Sequence, residues 1–121
     1  MTAPSDRRRA LGTVGEALAA AWYEERGYEV LERNWRRREG EIDLVLRHGR
    51  TVVFCEVKTR SGDRFGSGAE AVVAAKQRRI RRLGARWLSE LTPAVGRDRL
   101  DVRFDVAEVT GEGVAVIEGA F

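Results

Sequence analysis

Asp43, Glu56 and Lys58 are the residues on which chemistry could turn. They lie in two neighbouring runs, Gly40-Glu41-Ile42-Asp43 and Phe54-Cys55-Glu56-Val57-Lys58, with a short Gly-containing segment between them. Carboxylates converging from two strands form a hard-oxygen site suited to Mg²⁺ or Mn²⁺. An ammonium beside such a site can orient a water or balance developing charge. The chain has 22 basic residues, of which only Lys58 and Lys76 are lysines. That skew suggests two places where a compact ammonium serves and a planar guanidinium does not.

These residues need strands to position them. Glu41 to Arg47 and Thr51 to Lys58 both alternate, with His48-Gly49-Arg50 as the turn of a hairpin. On one side stand Glu41, Asp43 and Val45, and Val52, Phe54, Glu56 and Lys58; on the other stand Ile42, Leu44 and Leu46. With an even turn centred on His48-Gly49, Asp43 faces Phe54 and Glu41 faces Glu56, so Asp43 and Glu56 are diagonal neighbours about 7–8 Å apart. The plainer alternative is a surface ion-pair cluster in which Lys58 answers Glu56 and Asp43. Against it, the same face carries Val45, Val52 and Phe54, and a partly buried acidic cluster calls for a cation.

Around the hairpin, a helix is expected from about Ala10 to Arg26, stopped by Gly27, with Leu11, Val14, Leu18, Ala21 and Trp22 as its core stripe. Glu16 lies on a different face, with Ala19, Ala20 and Tyr23. It could complete a metal shell or simply suit the helix dipole, and spacing alone leaves these even. Tyr28 to Asn34 reads as a strand and Arg36-Arg37-Arg38-Glu39-Gly40 as a basic loop. Thr59 to Gly68 is a second loop, carrying Arg60 and Arg64. Ser67 and Glu70 form a capping box for a second helix ending near Leu91. Its apolar stripe is Val73, Ile80, Leu83, Trp87 and Leu91. Lys76 lies on that stripe, while Arg78, Arg79, Arg82 and Arg86 lie opposite as a solvated exterior. Arg99 to Val109 alternates with Leu100, Val102, Phe104 and Val106 on one side, and Gly113 to Glu118 is a last strand. The order is α-β-β-β-α-β-β, an α/β fold with a mixed sheet flanked by helices, its third and fourth strands parallel through a right-handed crossover.

Composition bounds the rest. At 121 residues the chain is one domain, expected to comprise a flexible basic stretch over 1–9 and a single domain over 10–121. Hydrophobic residues at 43% and charged residues at 34% are a globular balance, and no run approaches the ~20 apolar residues of a membrane span. Cys55 and His48 are the sole cysteine and histidine, which excludes an internal disulfide and a Cys/His zinc site. A net charge of +3 permits a polyanionic partner without requiring one. A cytoplasmic protein is expected.

The GEID and FCEVKTR runs resemble the PD-(D/E)xK nuclease signature, whose restriction-endonuclease-like core has the same α-β-β-β-α-β order. Over nearly the whole chain, Gly15-Glu16, Gly27-Tyr28, Arg33-Asn34, GEIDLV, EVKTR, Lys76 and Arg103-Phe104-Asp105-Val106 resemble the YraN-like family of small bacterial proteins. The chain is also similar to archaeal Holliday-junction resolvases. The resemblance implies a Mg²⁺- or Mn²⁺-dependent DNA endonuclease acting on branched or damaged DNA, and a homodimer. It implies Asp43, Glu56 and the main-chain carbonyl of Val57 as metal ligands, Glu16 completing the shell, and Lys58 orienting the attacking water. Lys76 would hold a phosphate or Glu56. Arg36, Arg37, Arg38, Arg60 and Arg64 would contact the backbone of structured or double-stranded DNA. Glu41 belongs to the family run without an assigned role. The alternatives are a nucleic-acid-binding module that does not cut and a scaffold protein.

Overall fold

The computed structural model describes residues 4–60, 73–91 and 99–121, with side chains described from Thr13 onward. Its elements are α1 (Pro4–Glu25), β1 (Glu29–Arg37), β2 (Gly40–His48), β3 (Thr51–Thr59), α2 (Ala74–Ser89), β4 (Asp101–Thr110) and β5 (Gly113–Ile117). The five strands form one sheet in sequence order, antiparallel throughout except for the parallel β3–β4 pair. This is the expected mixed α/β architecture.

Neighbouring β3 residues alternate between two cores. Val53 and Cys55 join Ala19, Ala20 and Tyr23 of α1 with Leu44 and Leu46. Val52 and Phe54 join Leu83 and Trp87 of α2 with Trp35, Ile42 and Val45. The helices therefore cover opposite faces of the sheet.

Helix α1 differs from expectation in start and in face. It opens at Pro4 rather than Ala10; proline suits a first turn, where its missing N–H would have no partner. Its C-terminus is as expected, with Gly27 at φ 88° and the Tyr28 N–H donating to the Tyr23 carbonyl at 3.0 Å. The core stripe, however, is not Val14, Leu18 and Ala21. Val14 is 56% and Leu18 46% exposed, and Ala21 is exposed, whereas Gly15, Ala19, Ala20 and Tyr23 are buried. Close approach decides this: a β-carbon at Gly15 would collide with the Thr59 hydroxyl on β3. The face of smallest residues therefore goes down, and Glu16 goes down with it.

The expected basic loop is a tight hairpin. Arg36 and Arg37 belong to β1, Arg38-Glu39 make the turn, and Gly40 opens β2 at φ 146°. The strand runs through Asn34, which adopts a left-handed φ of 52°, a conformation asparagine tolerates. The β2–β3 register pairs Val45 with Phe54 and Leu44 with Cys55, two residues from the expected register, because Gly49-Arg50 alone form the turn. The parity survives, but the ladder stops at Leu44, and Ile42 packs with Val45 rather than with Leu44 and Leu46. Alternation in β2 thus breaks at Asp43.

The capping box at Ser67 and Glu70 and the loop residue Arg64 lie outside the described residues. The described α2 opens at Ala74, after an extended Val73 that supplies no side-chain cap. Its buried residues include Ile80, Leu83 and Trp87 as expected, while Val73 is exposed and precedes the helix.

Strand β4 carries what the pattern did not suggest: Asp105, Glu108 and Thr110 are buried among its apolar residues. Asp105, fully buried, accepts from the Tyr23 hydroxyl at 2.6 Å, from Arg103 at 2.9 and 3.0 Å, and from the Gly119 N–H at 3.0 Å. Burial, with Cys55 and Asp105 alongside, pushes the Tyr23 phenol far up, so it remains the donor. Asp105→Ala should destabilise the fold by about 3–5 kcal/mol, because it removes the buried acceptor shared by the Tyr23 hydroxyl, Arg103 and the Gly119 N–H. Urea unfolding measures this, and a loss under about 1 kcal/mol would mean that α1 is held by apolar packing alone.

Candidate metal centre

Three elements converge where the β2–β3 ladder ends. β2 supplies Glu41 and Asp43, β3 supplies Glu56 and Lys58, and α1 supplies Glu16. The first turn of α2 brings Lys76 from the other side.

Glu16, Glu41 and Asp43 each offer a carboxylate oxygen, and these oxygens lie within 4.8 Å of one another. They form the one such group of potential ligands among the described residues. Glu56 contributes no atom to it. Its Oε1 instead meets Lys76 Nζ at 2.5 Å and Lys58 Nζ at 3.9 Å. Asp43 Oδ2 accepts the Val57 N–H at 2.8 Å, so Val57 approaches the cluster through its amide. Of the expected ligands, Glu16 and Asp43 are together, Glu56 is adjacent but held by lysine, and Glu41 joins them.

Crowding shows in the electrostatics. Burial, then repulsion from Glu56, pushes the Asp43 carboxyl up to about 8, against the Val57 hydrogen bond that favours its ionised form. Burial also raises Glu16, with Asn34 opposing through a hydrogen bond and Glu41 and Glu56 adding repulsion. The Lys58 ammonium is pushed down by burial and by neighbouring Lys76. Lys76 goes the other way: burial, the largest single influence, opposes its charge, but the hydrogen bonds to Glu56 and Lys58 and the charges of Glu56 and Asp43 together raise it.

Asn34 was not singled out as a site residue. Its left-handed backbone turns a side chain on β1 towards Glu16. Its signal in the sequence was an asparagine inside a strand, a residue type more at home where backbone leaves the β region.

The basic residues divide. Arg36 is exposed and 3.3 Å from Glu41. Arg37 is tied to Glu90 by two bonds of 2.6 and 3.2 Å and lies over the Trp35 ring. Arg38 is exposed at the turn. Arg60 pairs with buried Glu108 at 2.8 Å while its N–H donates to Val109. Arg37 and Arg60 thus have structural partners, and Arg36 stands beside the site. Arg86 pairs with Glu39 and Glu90 on the outer face of α2.

The chain matches the profile of "Uncharacterised protein family UPF0102" over residues 15–109. It is 55% identical over 113 residues to a UPF0102 protein of Frankia casuarinae, covering 93% of this chain and 96% of that one. Identity is 50% over 104 residues to one of Rhodococcus opacus, covering 86% of each chain. A UPF0102 protein of Mycolicibacterium vanbaalenii is 45% identical over 118 residues, covering 92% of this chain and 98% of that one. The chain belongs to the UPF0102 family. The matched span holds Glu16, Asn34, Glu41, Asp43, Glu56, Lys58 and Lys76. UPF0102 is the family expected from the YraN-like runs. Among the described residues of this UPF0102 protein no helix is long and apolar enough to cross a membrane.

The donor set fits a hard divalent cation: all three clustered groups are carboxylates, Cys55 is buried, and His48 stacks on Tyr28 by the hairpin turn. A carboxyl raised in the fold stabilises it fully below its unfolded value near 4 and loses that contribution as pH rises through about 8. Metal-free protein should therefore become less stable between about pH 5 and pH 8, by at most about 1.4 kcal/mol per unit from this group. Urea midpoints in EDTA measure it. Mg²⁺ should restore stability at the upper end, and Asp43→Asn should flatten the slope; an unchanged slope in that variant would show that Asp43 does not carry it.

Proposed function

We propose that this protein is a divalent-metal-dependent DNA endonuclease of the PD-(D/E)xK type, working in the cytoplasm on branched or damaged DNA. The observation that carries the reading is the meeting of Glu16, Glu41 and Asp43, from one helix and one strand, with carboxylate oxygens within 4.8 Å of one another, and with Glu56 and Lys58 of the neighbouring strand beside them. The order α-β-β-β-α-β-β supports it, because that order places an acidic strand and an ExK strand side by side at one end of the sheet.

Asp43, Glu16 and Glu41 would hold Mg²⁺ or Mn²⁺, with Glu56 and the Val57 main chain completing the site. Such an ion, when bound, lowers the pKa of a water and stabilises charge on phosphate oxygens. The remaining work falls to side chains of this chain. Lys58, partly buried and with its ammonium lowered by burial and by Lys76, orients the attacking water or balances developing charge. Asn34 fixes the Glu16 carboxyl. Arg36 and Arg38 are exposed beside this end of the sheet and would meet the DNA backbone, so binding should weaken steeply with salt. Two copies about a two-fold axis would present two such sites to a four-way junction.

Purified protein with Mg²⁺ or Mn²⁺ should cleave flapped or four-way DNA. Binding without cleavage would instead favour a module that no longer cuts, and neither would favour a scaffold. Lys58→Arg should lose cleavage by about 100-fold or more while keeping its fold and DNA affinity, because guanidinium is larger, planar and far harder to deprotonate. Full activity in that variant would reduce Lys58 to an ion-pair partner of Glu56.

A further inference from the structure

Lys76 stands where a positive charge is disfavoured. It occupies the first turn of α2, at the positive end of the helix dipole, and that turn contains no acidic residue and no side-chain cap. Its compensation comes from outside the helix, from the Glu56 carboxylate at 2.5 Å, which is itself nearly buried. Glu56 is thereby separated from the group that its neighbours form: Glu16, Glu41 and Asp43 converge on one another, while Glu56 turns to the lysines. Glu56 Oε1 is engaged by this ammonium, so a cation using that oxygen would have to displace the lysine or share the oxygen with it.

We propose that Lys76 is a built-in counter-cation that holds Glu56 in the metal-free protein and is displaced when a divalent ion binds, so that loading the site releases the first turn of α2. The inference rests on the metal reading above and adds to it an exchange partner. An ion at Glu16, Glu41 and Asp43 brings two positive charges next to Glu56, which already neighbours Asp43 closely enough to repel it. The lysine and the ion then compete for one carboxylate. Lys58, 3.9 Å from the same oxygen, is a weaker competitor and remains on β3 beside the site. The released ammonium is carried by a helix end, where backbone N–H groups also point outward, and both would favour an incoming phosphate. Lys76 thus acts as a positioning residue, exchanging with the ion rather than reacting.

Mn²⁺ affinity measured by calorimetry on the full chain tests this with a double-mutant cycle of Lys76→Met and Glu56→Gln. In the wild-type background Lys76→Met should tighten Mn²⁺ binding by about tenfold, equivalent to about 1.4 kcal/mol. In the Glu56→Gln background the same substitution should change affinity by less than about twofold, because the competing pair is already gone. An equal gain in both backgrounds would mean that removing a nearby charge is the whole effect, and would overturn the inference. So would no gain in either. If the wild-type chain binds neither Mn²⁺ nor Mg²⁺, the metal reading fails and takes this inference with it; binding with zero coupling sinks this inference alone. Should Lys76→Met not fold, the wild-type ammonium signal of Lys76 by NMR reads the same event: its hydrogen exchange should accelerate on adding Mg²⁺. Unchanged exchange at saturating metal would overturn the exchange of partners.

Discussion

Asp105 ties together α1, β4 and the chain after β5 through directional bonds added to their apolar packing. It lies on β4 with no exposure, and it takes the Tyr23 hydroxyl from α1, the Arg103 guanidinium from its own strand and an N–H from the chain after β5. A buried carboxylate with fewer partners would destabilise the fold, so the three donors come as a set. Tyr23 lies two turns along α1 from Glu16 and shares its face. The network that seats Tyr23 therefore also sets the roll of the helix and aims Glu16 at β2. Gly15 completes this by letting the helix axis close on Thr59.

With α1 fixed, the site is a problem of charge. Four carboxylates approach one another at the end of the β2–β3 ladder, and two ammonium groups answer them. The fold meets this by keeping the Asp43 proton to about 8 and by assigning Lys76 to Glu56. In the proposed metal-bound state, proton and lysine would both give way to the ion. Glu108, buried on the same strand as Asp105, pairs with Arg60, which lies just after β3 and whose N–H donates to the Val109 carbonyl.

The strands, their order and the parallel pair were legible because period-two alternation and Gly-containing turns are local signals. An even turn preserves parity along the ladder itself, but the ladder ends at Leu44 and alternation breaks at Asp43, so parity did not decide where Asp43 lies. The register was not legible: Gly49-Arg50 forms a tighter turn than the three residues that looked like one, and alternation in β2 breaks at Asp43. The face of α1 was misread because hydrophobicity favours Val14 and Leu18, whereas packing density favours Gly15, Ala19 and Ala20.

The sequence by itself determined which residues could do chemistry, the family to which the chain belongs and the α/β order that places an acidic strand next to an ExK strand. These rest on residue identity and on short-range periodicity, which the chain carries regardless of how it packs. Tertiary structure alone decided that Glu41 joins Glu16 and Asp43, that Lys76 rather than an ion-ready gap faces Glu56, and that Arg37 and Arg60 serve other carboxylates. Each of those outcomes is a choice among several charged groups of equal chemical merit. Distance and burial make that choice, and both exist only once the helices have closed on the sheet.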